Sequence, residues 1–206
     1  LYAMDREAGL LDQVDYLLGL LERLRSRNCS GYGWGYNFPW QSRAAYVPRG
    51  TPTIVNTSFI GHALLDTYRH TGKEEALVMA TRIPGFLLHD LKRKAEGDTF
   101  CFSYTPLDQN YVHNASMLGA SFLIRLSKER GESSLADPAH AALAYSMNHQ
   151  HRDGSWCYAE TDFQNWIDSF HTGFNLQALR CFLQLGEGGA YRGAYCKGVQ
   201  YYAENF

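Results

Sequence analysis

A large charge of either sign is missing from this 206-residue sequence. Nineteen Lys and Arg stand against 21 Asp and Glu, a net charge of −2, which argues against nucleic acid or an anionic membrane surface as the main partner. No apolar run approaches the ~18 residues that mark a transmembrane helix, so no membrane span is expected. The opening LYAMDREAG has neither the basic nor the apolar region of a signal peptide, nor a Met at position 1. A processed or truncated chain is therefore expected. Cys29, Cys101, Cys157, Cys181 and Cys196 are odd in number and contain no CxxC pair, which indicates neither a disulfide framework nor a zinc knuckle. A reducing, cytoplasmic setting fits them best. Also missing are GxxxxGK[ST], a strand-anchored GxGxxG, GxSxG and HExxH, so nucleotide binding, a nucleophile elbow and a zincin site have no support.

Aromatic residues, by contrast, are plentiful: 14% of the chain, with 14 Tyr and 4 Trp. Such rings can line a groove that grips flat ligand faces, or fill the interfaces between helices. Apolar residues three and four apart recur over Leu10 to Leu24, Phe59 to Tyr68, Ala76 to Leu91, Met117 to Leu126, Leu135 to Met147, Phe174 to Leu185 and Ala190 to Tyr202. That spacing predicts about seven amphipathic helices and no strands. Pro84 should kink or divide the third.

The segments align as a repeat. An aromatic-x-Tyr element occurs as Trp34-Gly35-Tyr36, Phe102-Ser103-Tyr104 and Trp156-Cys157-Tyr158, each followed by a polar loop and a helix opening. Gly61, Gly119 and Asn175 mark equivalent points 58 and 56 residues apart. A unit of that length holds two helices and a long loop, and must stack on its neighbours to bury its apolar stripe. The long loops favour an α/α toroid over an open solenoid. Seven helices fill only part of a twelve-helix ring, so a single, incomplete (α/α)6 toroid domain is expected over residues 1–206.

In such a ring the loops before the inner helices converge at one mouth. Asn56, Asn114 and Asp168 stand where side-chain oxygens cap helix starts. Capping does not explain their companions Gln41, Arg43, Asp108, His113, Glu160, Asp162 and His171. Paired carboxylates can act as acid and base on a glycosidic bond; a His or Tyr can take a proton beside a carboxylate while Arg holds the substrate's charge. Asp168, His171, His113, Asp108 and Arg43 are accordingly the catalytic candidates. Tyr36, Trp40, Gln41, Asn56, Tyr104, Asn114, Tyr158, Glu160 and Trp166 are the substrate-binding candidates, with Trp34 and Trp156 expected to pack between helices. Isolated pairs such as Asp168 with His171, or His149 with His151, fall short of a metal-ligand pattern, and neither metal nor cofactor is expected.

Gln150 to Trp156, QHRDGSW, resembles the Q-x3-G-x-W core of the QW repeat in terpenoid cyclases. More of the chain is similar to another toroid group: WGYNFPWQSR, PRGTPTIVNTSFIGHALL, FCFSYTPLD, VHNAS and DGSWCYAE followed by WIDSFHTGFNLQAL. Together these resemble the VpsJ-like α/α-toroid proteins of bacterial polysaccharide biosynthesis. The resemblance implies the toroid fold of terpenoid cyclases and protein prenyltransferases, and more distantly that of the (α/α)6 sugar enzymes. It carries over no catalytic residue. The acid motifs DDxDD and DxDD are absent, which weighs against carbocation chemistry. The expected function is a hydrolase, lyase or epimerase acting on an anionic saccharide or polysaccharide intermediate. A non-catalytic glycan- or partner-binding scaffold is the alternative, an isoprenoid-processing enzyme the third reading, and self-association through open toroid edges a further expectation.

Overall fold

The computed structural model describes residues 8–206; the opening LYAMDRE lies outside them. Seven α-helices are found among the described residues: α1 (Ala8–Leu24), α2 (Ile54–Thr71), α3 (Glu74–Gly85), α4 (His113–Arg130), α5 (Ala136–Asn148), α6 (Ser169–Gln184) and α7 (Arg192–Asn205). All seven correspond to the apolar periodicities above. The chain divides into two compact units, Leu1–Asp90 and Leu91–Phe206.

In the first unit α2 packs on α3. The Trp34 indole is buried and donates to the Leu21 carbonyl at 2.8 Å, while its backbone N–H reaches the Thr57 hydroxyl at 3.0 Å. That tryptophan therefore joins α1 to α2, the packing role expected of it. Pro84 lies within α3, and a π-turn over Phe86–Asp90 follows directly. A proline has no N–H for the i−4 carbonyl, and wider winding next to such a gap is a usual accommodation. The loop before α2 carries a short antiparallel pair, β1 (Trp40–Gln41) and β2 (Tyr46–Val47).

In the second unit α4 packs against both α5 and α6, and α6 against α7. Its small residues Ala115, Ser116, Ala120 and Ser121 let neighbours approach, and nearly the whole helix is buried. Burial on that scale stabilises by roughly 1.5–3 kcal/mol for each large side chain such as Phe122 or Leu123. A hairpin of β3 (Arg93–Glu96) and β4 (Thr99–Phe102) precedes α4, and α5 packs on β4.

The strands correct the all-helical expectation locally. The two pairs are two and four residues long, too short to show a clear alternation of apolar residues. Two of the expected caps also differ. Thr53 caps α2, its hydroxyl accepting from the Asn56 N–H, so Asn56 lies inside the first turn. Helix α4 starts after Val112 without a side-chain cap; Val112 instead forms an antiparallel bridge with Ala159, and the His113 N–H reaches the Tyr158 carbonyl at 3.1 Å. A strand-like contact thus satisfies a donor that Asn114 was expected to serve. Only Asp168 caps its helix as predicted.

The turn read as QW-like is a packing device. Gln150 Nε2 donates to the carbonyls of Gly154 and Ala194, both at 3.0 Å, and the buried Trp156 indole donates to Ser146 at 2.9 Å. It thereby ties the end of α5 to the first turn of α7.

Candidate functional site

The segment Cys157–Glu160 is fastened on two sides. Ala159 bridges Val112 at the start of α4, while the Tyr158 N–H donates to Trp166 at 2.8 Å and the Ala159 N–H to Gln164 at 3.1 Å. Ala159 is buried, and Tyr158 and Glu160 flank it in the chain as bends. Each belongs to a separate cluster of polar side chains within the second unit.

The first cluster surrounds the start of α6. Asp168 Oδ1 accepts the His171 backbone N–H at 2.8 Å; Oδ2 accepts both His171 Nδ1, at 2.7 Å, and the Trp166 indole N–H, at 2.9 Å. Because a carboxylate only accepts, Nδ1 carries a ring proton. Burial works to raise the Asp168 carboxyl, but the His171 amide and ring and the Trp166 indole outweigh it and hold it below the usual aspartate value. Tyr158 stacks on Trp166, ring centres 4.6 Å apart, and its centre is 4.4 Å from that of His171. Burial raises the Tyr158 phenol, helped by the charges of Asp168 and Asp108. Trp166 and Phe170 are exposed. An imidazole oriented by a carboxylate thus stands beside an aromatic surface open to solvent.

The second cluster centres on Glu160. Its Oε2 is paired with the Lys94 ammonium; its Oε1 lies 3.0 Å from His149 Nε2 and 3.6 Å from His113 Nε2. His149 Nε2 is also 3.4 Å from Glu96 Oε2, and the Tyr145 phenol donates to Glu96 Oε1 at 3.3 Å. Lys94 and Glu96 are alternate residues of β3, so they leave the strand on one side. Burial works to raise Glu160, yet Lys94, Tyr145, His149 and His113 together hold it below the usual glutamate value. Burial lowers the His113 imidazole to about 4 against the opposing pull of Glu160, so that ring is neutral at pH 7. The Tyr145 phenol is pushed upward by burial and by Glu160.

Among the predicted residues, then, Asp168, His171, Tyr158 and Trp166 come together, as do His113 and Glu160. Asp108 is engaged in its own turn: Oδ2 accepts from the Thr105 hydroxyl at 2.6 Å and Oδ1 from the Asn110 N–H at 2.9 Å. Tyr104 is half-buried, with its N–H on the Asn110 carbonyl at 2.9 Å. Asn114 is buried, and its Oδ1 has no hydrogen-bond donor among the described residues, as is true of Asn175 Oδ1 and Thr172 Oγ1 on α6. In the first unit Tyr36 stacks on Phe38 at 5.2 Å and meets Trp40 edge-on at 6.3 Å. Gln41 donates to the Ser42 carbonyl, Arg43 is exposed, and Asn56 is half-buried.

Lys94, Glu96, Tyr145 and His149 were not predicted. The first two lie on the hairpin that the sequence pattern hides. Tyr145 and His149 stand four apart, a spacing that puts side chains on one helix face and could have pointed to them; their rings stack 4.5 Å apart.

No protein-family model matches the sequence, and no curated protein matches it. Solved structures do match, each at low identity. The unsaturated glucuronyl hydrolase of Bacillus sp. GL1, responsible for glycosaminoglycan degradation, superposes with a TM-score of 0.69 at 15% identity, over 100% of this chain and 59% of its own. A polysaccharide lyase gives 0.68 at 12%, over 98% and 56%. A sugar epimerase from a ruminal bacterium gives 0.65 at 14%, over 97% and 56%. This chain therefore spans a little over half the length of the structures it resembles. It has the all-α fold of paired helices found in α/α-toroid carbohydrate enzymes.

Proposed function

We propose that this chain belongs to a carbohydrate-active protein that processes an anionic glycan by hydrolysis, lysis or epimerisation, with His171 as the proton-transferring residue. The observation that carries the reading is the Asp168–His171 pair beside the stacked Tyr158 and Trp166. Asp168 fixes the tautomer, and His171 Nε2 is then free to take a proton from a sugar carbon or a water. Trp166 offers a flat apolar face for a sugar ring. Proton abstraction beside a carboxylate suits a uronate, and the structural likeness to a glucuronyl hydrolase, a polysaccharide lyase and a sugar epimerase supports that class. Asp108, Glu160, Tyr104 and Asn114 belong to this proposal as further residues of the same unit, and Tyr36, Trp40, Gln41, Arg43 and Asn56 as sugar contacts of the other. A role in bacterial polysaccharide biosynthesis of the VpsJ-like kind, a single toroid domain over 1–206 and a cytoplasmic setting complete it. No helix among the described residues is long and apolar enough to cross a membrane.

The test is turnover of uronate-containing oligosaccharides by the purified chain, followed by product analysis. His171→Ala and Trp166→Ala should each abolish product while the melting temperature stays within a few degrees. Retained turnover in His171→Ala would sink the reading.

A non-catalytic glycan-binding scaffold is favoured by one observation: Asp168 already has a structural task as the α6 cap. Glycan binding that depends on Trp166, with the ligand recovered unchanged, would support it. Isoprenoid processing has no comparable observation, and binding of a prenyl diphosphate would be needed to revive it.

A further inference from the structure

The Glu160 cluster is separate from the Asp168–His171 pair, whatever Glu160 adds to glycan contact. Glu96, His149 and Glu160 each place one ligand atom within 4.8 Å of the others. What distinguishes them from an ordinary surface cluster is how the remaining heteroatoms are held. His149 Nδ1 donates to the Tyr145 carbonyl at 2.8 Å, Glu160 Oε2 pairs with Lys94, and Glu96 Oε1 accepts from the Tyr145 phenol. A carbonyl oxygen only accepts, so Nδ1 carries a proton and Nε2 is the ring atom turned to the carboxylates. Nε2 faces Glu160 Oε1 at 3.0 Å and Glu96 Oε2 at 3.4 Å. Two carboxylate oxygens and a ring nitrogen thus converge on one place, with their other heteroatoms held outside it.

His113 provides an independent observation. It is only 2% exposed, and its Nδ1 meets the Ser146 hydroxyl at 3.1 Å. Its Nε2 is aimed at the same Glu160 Oε1, at 3.6 Å and beyond hydrogen-bond reach. Glu160 Oε1 in turn has no donor in hydrogen-bonding geometry among the described residues. A buried imidazole held at Nδ1 by Ser146 thus backs the carboxylate oxygen on which the cluster centres.

We propose that Glu96 Oε2, His149 Nε2 and Glu160 Oε1 bind a divalent first-row transition ion of the zinc type, with the buried His113 ring backing Glu160 Oε1. An imidazole with two carboxylates suits zinc or cobalt, whereas calcium and magnesium prefer all-oxygen sites. Two carboxylate charges neutralise the ion, and Lys94 sits on the outer oxygen of Glu160, where it fixes the carboxylate without occupying the inner one. The site does not depend on the glycan reading. It departs from the expectation of no metal, which rested on spacing along the chain: the ligands lie at 96, 149 and 160 and meet only through the fold.

The probe is Zn2+ itself, titrated by calorimetry into chelator-treated, dialysed protein, with Co2+ absorption as a second readout. One ion per chain is expected, with visible cobalt bands showing nitrogen and oxygen ligation. His149→Ala and Glu160→Gln should each weaken binding by about 10- to 100-fold or more. His140→Ala, which removes the other His–Glu pair of this unit (His140 Nε2 to Glu187 Oε2, 3.0 Å), should leave it unchanged. Circular dichroism of the metal-free variants separates loss of binding from loss of folding; if His149→Ala fails to fold, Glu96→Gln replaces it. Absence of stoichiometric Zn2+ binding overturns the proposal, as does equal binding by Glu160→Gln. So does an NMR signature of a doubly protonated His149 that Zn2+ leaves unaltered, because a proton would then occupy the place proposed for the ion.

Discussion

Asp168 and His171 meet twice: the His171 amide N–H lies 2.8 Å from Asp168 Oδ1, and the His171 ring Nδ1 lies 2.7 Å from Oδ2. One carboxylate thus caps α6 and orients an imidazole. The two tasks respond differently to substitution. Asparagine caps a helix nearly as well as aspartate, but its single oxygen cannot accept both from the amide and from the ring and indole. Asp168→Asn should therefore lower stability by no more than about 1–2 kcal/mol, while turnover falls by roughly 10²- to 10⁴-fold. The comparison needs only a thermal melt and a rate. A rate loss no larger than the stability loss would make Asp168 a cap alone.

The same residue gives a pH dependence with a definite sign. The Asp168 carboxyl lies below its unfolded value of about 3.9, so the folded chain holds the ionised form more tightly. Its contribution is complete above that unfolded value and is lost as pH falls through the lower folded one, because the unfolded chain takes up the proton first. Wild type should melt above Asp168→Asn at neutral pH, and the gap should close as pH falls below about 4. Melts of both proteins across the acid range check this; a gap that widens on acidification would contradict the arrangement described.

The helices were legible because their apolar stripes repeat every three to four residues, and α6 with its cap could be read down to Asp168. The Asp168–His171 pair was legible for the same reason: it is local, spanning one turn. The Glu160 cluster was not. Lys94 and Glu96 depend on a four-residue strand whose exposed face carries no apolar signal, and His113 meets His149 only because α4 and α5 pack together. Asn56 and Asn114 were misplaced as caps by one turn or less, since a threonine hydroxyl or a strand bridge serves the same free N–H groups and nothing in the spacing tells these apart.

The turn from Gln150 to Trp156 makes a separate prediction about stability. Gly154 has φ +98°, and a Cβ there would stand 2.4 Å from the Lys197 carbonyl oxygen. Gly154→Ala should cost about 2–4 kcal/mol from backbone strain and the clash with α7. Gln150→Leu removes the donor to Gly154 and Ala194 and should cost about 1–3 kcal/mol. Urea unfolding measures both. If either variant were neutral, the turn would not be the fastening between α5 and α7 that its hydrogen bonds indicate.

Cysteine labelling can report on the hairpin that carries Lys94 and Glu96. Cys101 stands opposite Lys94 in the β3–β4 register and is fully buried, and burial pushes its thiol up to about 12. The thiolate is the reactive form, so an alkylating reagent at pH 8 should modify exposed Cys196 at once and Cys101 only when the hairpin opens. Lys94 joins β3 to the Cys157–Glu160 segment through its pair with Glu160, and both side chains are partly solvated. Such a pair is worth about 0.2–1 kcal/mol. Lys94→Met should therefore speed Cys101 labelling by up to about fivefold and leave Cys196 unaffected, as peptide mass analysis over time would show. Labelling of Cys101 as fast as Cys196 in the wild type would mean that the hairpin is open in solution and that Glu96 is not held near His149.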